Sequence, residues 1–282
     1  MNLLSIQSHV AYGHVGNASA VFPLQRLGAE VWPIHTVQFS NHTGYGAWKG
    51  RVFDGPAIED LLAGIAERGV LPTCAGVLSG YMGSADIGNA ILAAVRQVRA
   101  ANPAAWYCCD PVIGDVGRGV FVRPGIPEFM RAQAVPAADL VTPNHFELDY
   151  LAGGESRTLP AVKAAIARVQ ALGPKIVLVT SVQTEETPAD AIDLVVGEGG
   201  RCWRVRTPKL PLSVNGAGDA IAALFFLHTL RTRSAAAALA EAASAVFGLL
   251  RRTSEAGSRE LLLVAAQDEF VSPSRRFAPE AV

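Results

Sequence analysis

Brief apolar runs and longer segments of helical period alternate along the whole chain. Leu3–Gln7, Val31–Gln38, Cys74–Leu78, Trp106–Cys109, Leu140–Thr142 and Lys175–Thr180 are short, mostly apolar and bounded by polar or turn residues. That is the pattern of strands buried on both faces. Between them, Asn17–Leu27, Pro56–Glu67, Ala85–Arg99, His145–Leu151 and Thr158–Ala171 read as helices, with Asn17 standing where an N-cap belongs. Ile192–Val196 and Cys202–Arg206, separated by Gly197-Glu198-Gly199-Gly200, predict a hairpin. Helices over about 217–230 and 234–252 close the pattern, followed by Leu261–Val264 and a polar tail, 272–282. Strands separated by helices of this length predict an α/β fold with a central, mainly parallel sheet and helices on both faces. Neither a low-complexity linker nor an internal repeat divides the chain, so one domain over 1–282 is expected.

In open sheets of this kind, ligands gather at the carboxyl ends of the strands. Ser8, Thr43, Gly80-Tyr81, Asp110, Asn144, Thr180 and Asp219 all fall just after an apolar run or just before a helix. The most informative stretch is Asn215-Gly216-Ala217-Gly218-Asp219, in front of the wholly apolar Ala220–Leu227. A run apolar on every side predicts a buried helix. Its Gly-Ala-Gly start would aim unpaired N–H groups and the positive dipole end at an anion. A carboxylate there, Asp219, either takes a proton from a hydroxyl attacking a phosphate or merely complements the dipole. These five residues alone do not choose between the two.

Other constellations carry the same ambiguity. Asp110-Pro111-Val112-Ile113-Gly114-Asp115 puts two carboxylates at the sheet mouth, which suits a water-coordinated divalent cation and equally a solvated turn. In Thr142-Pro143-Asn144-His145-Phe146-Glu147, the spacing of Asn144 and Glu147 fits a capping box as well as metal or phosphate work. Phe39-Ser40-Asn41-His42-Thr43-Gly44-Tyr45-Gly46 mixes aromatics with small polar groups, as a flat ring with hydrogen-bonding substituents would require. Ser8–Asn17 lacks the GxGxxG spacing of a dinucleotide fold, and no GxxxxGK[ST] marks a P-loop. His9, His14 and His42 cluster without a third zinc ligand at suitable spacing and are read as packing or hydrogen-bonding residues.

Composition narrows the choice of partner. With 50% hydrophobic and 17% charged residues and a net charge of −1, the chain has material for a large core but no basic patch for nucleic acid or an anionic membrane. No apolar run approaches membrane-spanning length, and the N-terminus has no basic n-region of a signal peptide. Cys74, Cys108, Cys109 and Cys202 lack metal-ligand spacing and sit largely in strand-like runs, which predicts a reduced, cytoplasmic setting.

Taken together, the segments Ser8–Asn17, Val37–Gly46, Asp110-Pro111-Val112 with Thr142-Pro143-Asn144-x-x-Glu147, and Asn215–Asp219 resemble the pyridoxal kinase family of the ribokinase superfamily. Leu78-Ser79-Gly80-Tyr81 and Val179-Thr180-Ser181 also fit, and the resemblance runs from residue 3 to about 270. It implies a ribokinase-like fold and ATP-dependent phosphorylation of the 5′-hydroxyl of pyridoxal, a step in vitamin B6 salvage. By the resemblance, Asp219 is the base, and Gly216, Ala217 and Gly218 donate N–H groups to the transferring phosphoryl group. Ser8 and Thr43 would bond the pyridine substituents, with Val15, Val37, Phe39, Gly44 and Tyr81 around the ring. Asp110, Asn144 and Glu147 would organise Mg²⁺, mostly through water, and the ATP phosphates. Thr142 and Thr180 would face the nucleotide or a monovalent cation such as K⁺. Ser181 and Thr207, Pro208, Lys209 and Leu210 are weaker nucleotide candidates. The family is usually homodimeric. One departure is the short link Thr207–Asn215, where many relatives carry a longer loop over ATP. Two competing readings are a hydroxymethylpyrimidine kinase of the same superfamily and a low-turnover pyridoxal phosphate-binding protein.

Overall fold

A computed structural model describes residues 1–282. The strands are β1 (Asn2–Val10), β2 (Glu30–Phe39), β3 (Gly50–Val52), β4 (Cys74–Ser79), β5 (Trp106–Cys109), β6 (Gly114–Asp115), β7 (Gly119–Val120), β8 (Leu140–Val141), β9 (Ile176–Val182), β10 (Ala191–Glu198), β11 (Arg201–Pro208) and β12 (Glu280–Ala281). All but β6 and β7 form one ten-stranded sheet in the order β12-β11-β10-β9-β8-β5-β4-β1-β2-β3. The central strands, from β2 through β9, pair in parallel, while β3, β10, β11 and β12 are antiparallel additions at the two edges.

Helices α1 (Asn17–Arg26), α2 (Gly55–Ala66), α3 (Ala85–Ala101), α4 (Ile126–Phe129), α5 (Val135–Ala137), α6 (His145–Ala152), α7 (Leu159–Gln170), α8 (Ala217–Thr232), α9 (Ala235–Glu255) and α10 (Asp268–Val271) cover both faces. Strand alternation sorts side chains between two cores. Leu4, Ile6, Val77 and Cys109 pack with α2, α3, α6 and α7, while Leu3, Leu78 and Cys108 pack with α1, α8 and α9. Helix α8 is buried without interruption from Ala220 to Leu227, which is why its sequence has no polar face.

Three local expectations change. The first strand continues past Gln7 to Val10, with a register shift against β2 between Gln7 and His9, so Ser8 lies on the irregular end of a strand rather than in a loop. Asn17 does not cap α1. Gly16 holds the N-cap position, and the buried Asn17 amide accepts from Ser5 Oγ at 2.7 Å and donates to the Ile34 carbonyl at 2.9 Å. Its polar atoms thus bond the first two strands, a side-chain role that competes with capping. The hairpin is longer than expected, with Gly199 and Gly200 alone in the turn at φ 57° and 77°, as a two-residue hairpin turn requires. In the tail, Glu280 and Ala281 pair with Arg204 and Trp203 on β11.

Candidate active site

The start of α8 is built by backbone constraint. Gly216 sits at φ 90°, and a Cβ there would lie 1.8 Å from the His14 carbonyl oxygen. Only glycine fits that approach. The Ser19 hydroxyl donates to the Gly216 carbonyl at 2.8 Å and fixes the turn against α1. Gly218 is different, because a Cβ there would meet nothing within 4 Å. Packing within the protein therefore does not demand glycine at 218; the space in front of it is open for a ligand. The free N–H groups of this first turn face the cleft.

Asp219 opens to the cleft on one side, yet protein surrounds it deeply enough that burial raises its pKa to about 6, against the opposing pull of the Gly16 and Asp219 N–H groups. A carboxylate at that value is a competent proton acceptor near neutrality.

Asp110 leaves the end of β5 with its N–H bonded to the Ser79 carbonyl at 2.9 Å. Its Oδ1 accepts from the Thr142 hydroxyl at 2.9 Å. Burial, then repulsion from Glu147 and Asp219, push the Asp110 carboxyl well above the ordinary carboxylate range. Glu147 is likewise raised, chiefly by burial, although three backbone N–H groups oppose the shift. Those donors are Ile113 at 2.9 Å and Gly114 at 3.3 Å to Oε1, and Asn144 at 2.9 Å to Oε2. Asn144 Oδ1 accepts from the Glu147 N–H at 2.9 Å, completing the capping box, and its Nδ2 donates to the Gly114 carbonyl at 2.8 Å. Glu147 and Asn144 thus pin the 113–114 segment beside Asp110. No cluster of His, Cys, Asp and Glu converges tightly enough to hold an ion by itself.

Two cavities meet at this floor. One, of about 480 Å³, gathers Ser8, Val15, Val37, Phe39, Thr43 and Tyr81 with the carboxylates and the α8 start. The other, of about 660 Å³, is lined by Thr207, Pro208 and Leu210, then by Leu212, Val246, Phe247 and Leu250. Gly44, Thr180, Ser181, Ala217 and Gly218 border both. Ser181 takes φ 54°, rare for a residue with a side chain, where β9 slips register against β10. That irregularity brings Thr180 and Ser181 to the junction. Volumes of this size suit one small ligand each.

Almost every residue singled out from the sequence therefore lines one connected cleft. Lys209 lines neither cavity; its N–H bonds to the Asp190 carbonyl at 2.7 Å, at the strand edge. Sequence reasoning missed Arg118 and Phe121 around the small β6–β7 hairpin, and the apolar wall that α9 presents through Ala243, Val246 and Phe247. The first had a weak signal in the glycines flanking Arg118. The second had none, since its residues look like ordinary helix core.

A family model described as phosphomethylpyrimidine kinase matches residues 73–263. Over the full length, the chain is 62% identical to a pyridoxal kinase PdxY of Granulibacter bethesdensis, covering 98% of each chain. It is 57% identical to a pyridoxal kinase PdxY of Rubrobacter xylanophilus, over 98% of this chain and 96% of that one. Among solved structures, a pyridoxal kinase from Leishmania donovani in complex with ADP and pyridoxamine superposes with a TM-score of 0.91 at 30% identity, covering 100% of this chain and 99% of that one. The chain belongs to the pyridoxal kinase PdxY family.

Proposed function

We propose that this member of the pyridoxal kinase family transfers the γ-phosphoryl group of ATP to the 5′-hydroxyl of pyridoxal. The observation that carries the reading is the junction of two ligand-sized cavities at the α8 start, with Asp219 on the substrate side of it. The domain model named for phosphomethylpyrimidine kinase stops short of residues 1–72, and those residues supply Ser8, Phe39 and Thr43 to the smaller cavity. Full-length similarity to pyridoxal kinases includes that wall.

In this reading pyridoxal occupies the smaller cavity, its ring against Val15, Val37, Phe39 and Tyr81, its substituents within reach of the Ser8 and Thr43 hydroxyls. The nucleotide occupies the larger one, its base against the Val246 and Phe247 side of α9 and its phosphates toward Thr180, Ser181 and the α8 start. The substrate oxygen attacks phosphorus, its proton passes to Asp219, and the bond to the β-phosphate oxygen breaks with its electron pair leaving on ADP. The N–H groups of Ala217 and Gly218 stabilise the charge on the group in transit.

Mg²⁺ fits this site. The buried Asp110 carboxylate has no cationic partner, and repulsion among Asp110, Glu147 and Asp219 favours an added cation. Asp110 would hold the ion with ATP oxygens and water, and the ion would neutralise phosphate charge. Asn144 and Glu147 shape the segment behind it. Thr142 and Thr180 line the same cleft and would offer oxygens to a monovalent cation such as K⁺, the Thr142 hydroxyl donating its proton to Asp110 while its lone pairs stay free.

The chain is read as a homodimer because the sheet ends at the open edge of β3, beside exposed Trp48, Val52 and Phe53. Its four free cysteines suit a reducing cytoplasm. No helix is long and apolar enough to cross a membrane. Incubation with Mg²⁺–ATP and pyridoxal tests the reading through the pyridoxal phosphate formed. Phosphorylation of hydroxymethylpyrimidine in preference to pyridoxal would reject it, and a monomer by light scattering would reject the dimer.

A further inference from the structure

Arg118 stands apart from every other cation in the chain. It is the only Lys or Arg lining either cavity, and it lines both. The residues bordering both cavities are those past which a phosphoryl group must move from one ligand to the other. Asp110, Asp115, Glu147 and Asp219 also face this space, so the cleft is otherwise acidic where a polyphosphate must bind.

The setting of Arg118 lets it move. It occupies the three-residue tip of the β6–β7 hairpin, between Gly117 at φ 85° and Gly119 at φ 66°, and that hairpin is separate from the main sheet. Its Nη2 contacts Asp115 Oδ2 at 3.1 Å, and its guanidinium lies 5.0 Å from the Phe121 ring centroid. Both partners of the ion pair are about half-exposed, 55% and 44%, so the pair is weak and readily exchanged for a better anion. Across the cleft its charge is felt by His42, next to Thr43 and Gly44 on the substrate wall. A guanidinium fork matches phosphate oxygens as a single-point ammonium does not.

We infer that Arg118 leaves Asp115 to grip the γ-phosphoryl oxygens of the nucleotide, and follows that group across the junction during transfer. The inference rests on the kinase reading above and adds to it a second positive element, opposite the N–H groups of α8. No atoms are exchanged with Arg118, which keeps its proton throughout and acts by charge and hydrogen bonds alone.

The test compares wild type, R118Q and R118K by calorimetric titration with Mg²⁺–ATP and Mg²⁺–ADP, and by steady-state kinetics with pyridoxal. R118Q should weaken ATP about tenfold or more while changing ADP less than about threefold, because only ATP carries the γ-phosphate. Its kcat should fall about 10- to 1,000-fold, reaching at most the lower bound of what an arginine finger contributes, and R118K should recover part of that loss. Each protein serves as its own control for folding, since ATP and ADP are compared on the same sample. Equal weakening of both nucleotides, unchanged ATP affinity, or an R118K no better than R118Q would overturn the inference. A wild type that leaves pyridoxal unphosphorylated, yet loses its ATP preference in R118Q, would reject the substrate reading and support the phosphate grip.

Discussion

Replacing Asp219 with Asn removes the proposed proton acceptor with little change in shape. An Asn oxygen can still accept the Gly16 N–H that now reaches the carboxylate, so the start of α8 should keep its geometry. A positioned acceptor contributes about 10²–10⁴ in rate, which is about 2.7–5.4 kcal/mol of barrier. The pH dependence gives an independent check. Burial raises the Asp219 pKa to about 6, so below that value the residue already holds the proton it should accept. Wild-type kcat/KM for pyridoxal should therefore fall about tenfold per pH unit below about 6 and level off above it. Asp219→Asn should lack this limb and sit about 10²–10⁴ below the plateau at neutrality. ADP release coupled to NADH oxidation, followed from about pH 5 to 8, measures both quantities over the range that brackets an acceptor of this kind. A mutant within about tenfold of wild type, or one that keeps the acid limb, would refute the base assignment.

Four further outcomes follow from particular contacts. Because the folded chain keeps a proton on Asp110 that the unfolded chain releases near pH 4, ligand-free stability falls as pH rises from there through the raised folded-state value. The melting-temperature advantage of Asp110→Asn over wild type should accordingly widen between acid and alkaline pH, and a constant or shrinking gap by calorimetry would contradict it. Gly216→Ala, which drives a methyl into the His14 carbonyl at a left-handed φ, should lower the melting temperature sharply, whereas Gly218→Ala should melt like wild type and lose turnover; matching melting curves for the two variants would count against the distinction. Glu147→Gln should lower stability by disturbing three amide contacts and leave the Mg²⁺ activation curve in place, while Asp110→Asn shifts it, and a displaced curve for Glu147→Gln would restore a direct role at the ion. Ser8→Ala or Thr43→Ala should raise the KM for pyridoxal about two- to tenfold, the loss of one hydrogen bond, with the KM for ATP little changed; equal effects on both would move the substrate to another wall.

Periodicity alone determined the alternation of strands and helices, and with it the mainly parallel sheet, because apolar faces must be buried at the period of their element. Local chemistry marked the site in the same way: the glycines before Asp219, Asp110 after an apolar strand, and the Asn144–Glu147 capping pair are all legible within a few residues. What no local pattern could decide is which distant backbone a side chain meets. Asn17 reads as a helix cap and instead joins Ser5 to the Ile34 carbonyl, since α1 begins at Asn17 itself and packs on the middle of β1 and β2. Glu147 reads as a cap and is one, but its tie to Ile113 and Gly114 exists only because α6 packs beside the strand end that carries Asp110. Val246 and Phe247 look like core and are buried, yet they line the larger cavity, because the fold sets that face of α9 opposite the Thr207–Asn215 link. Arg118 became visible only when the fold emptied the cleft of every other Lys and Arg, a property of the whole tertiary arrangement and of no segment within it.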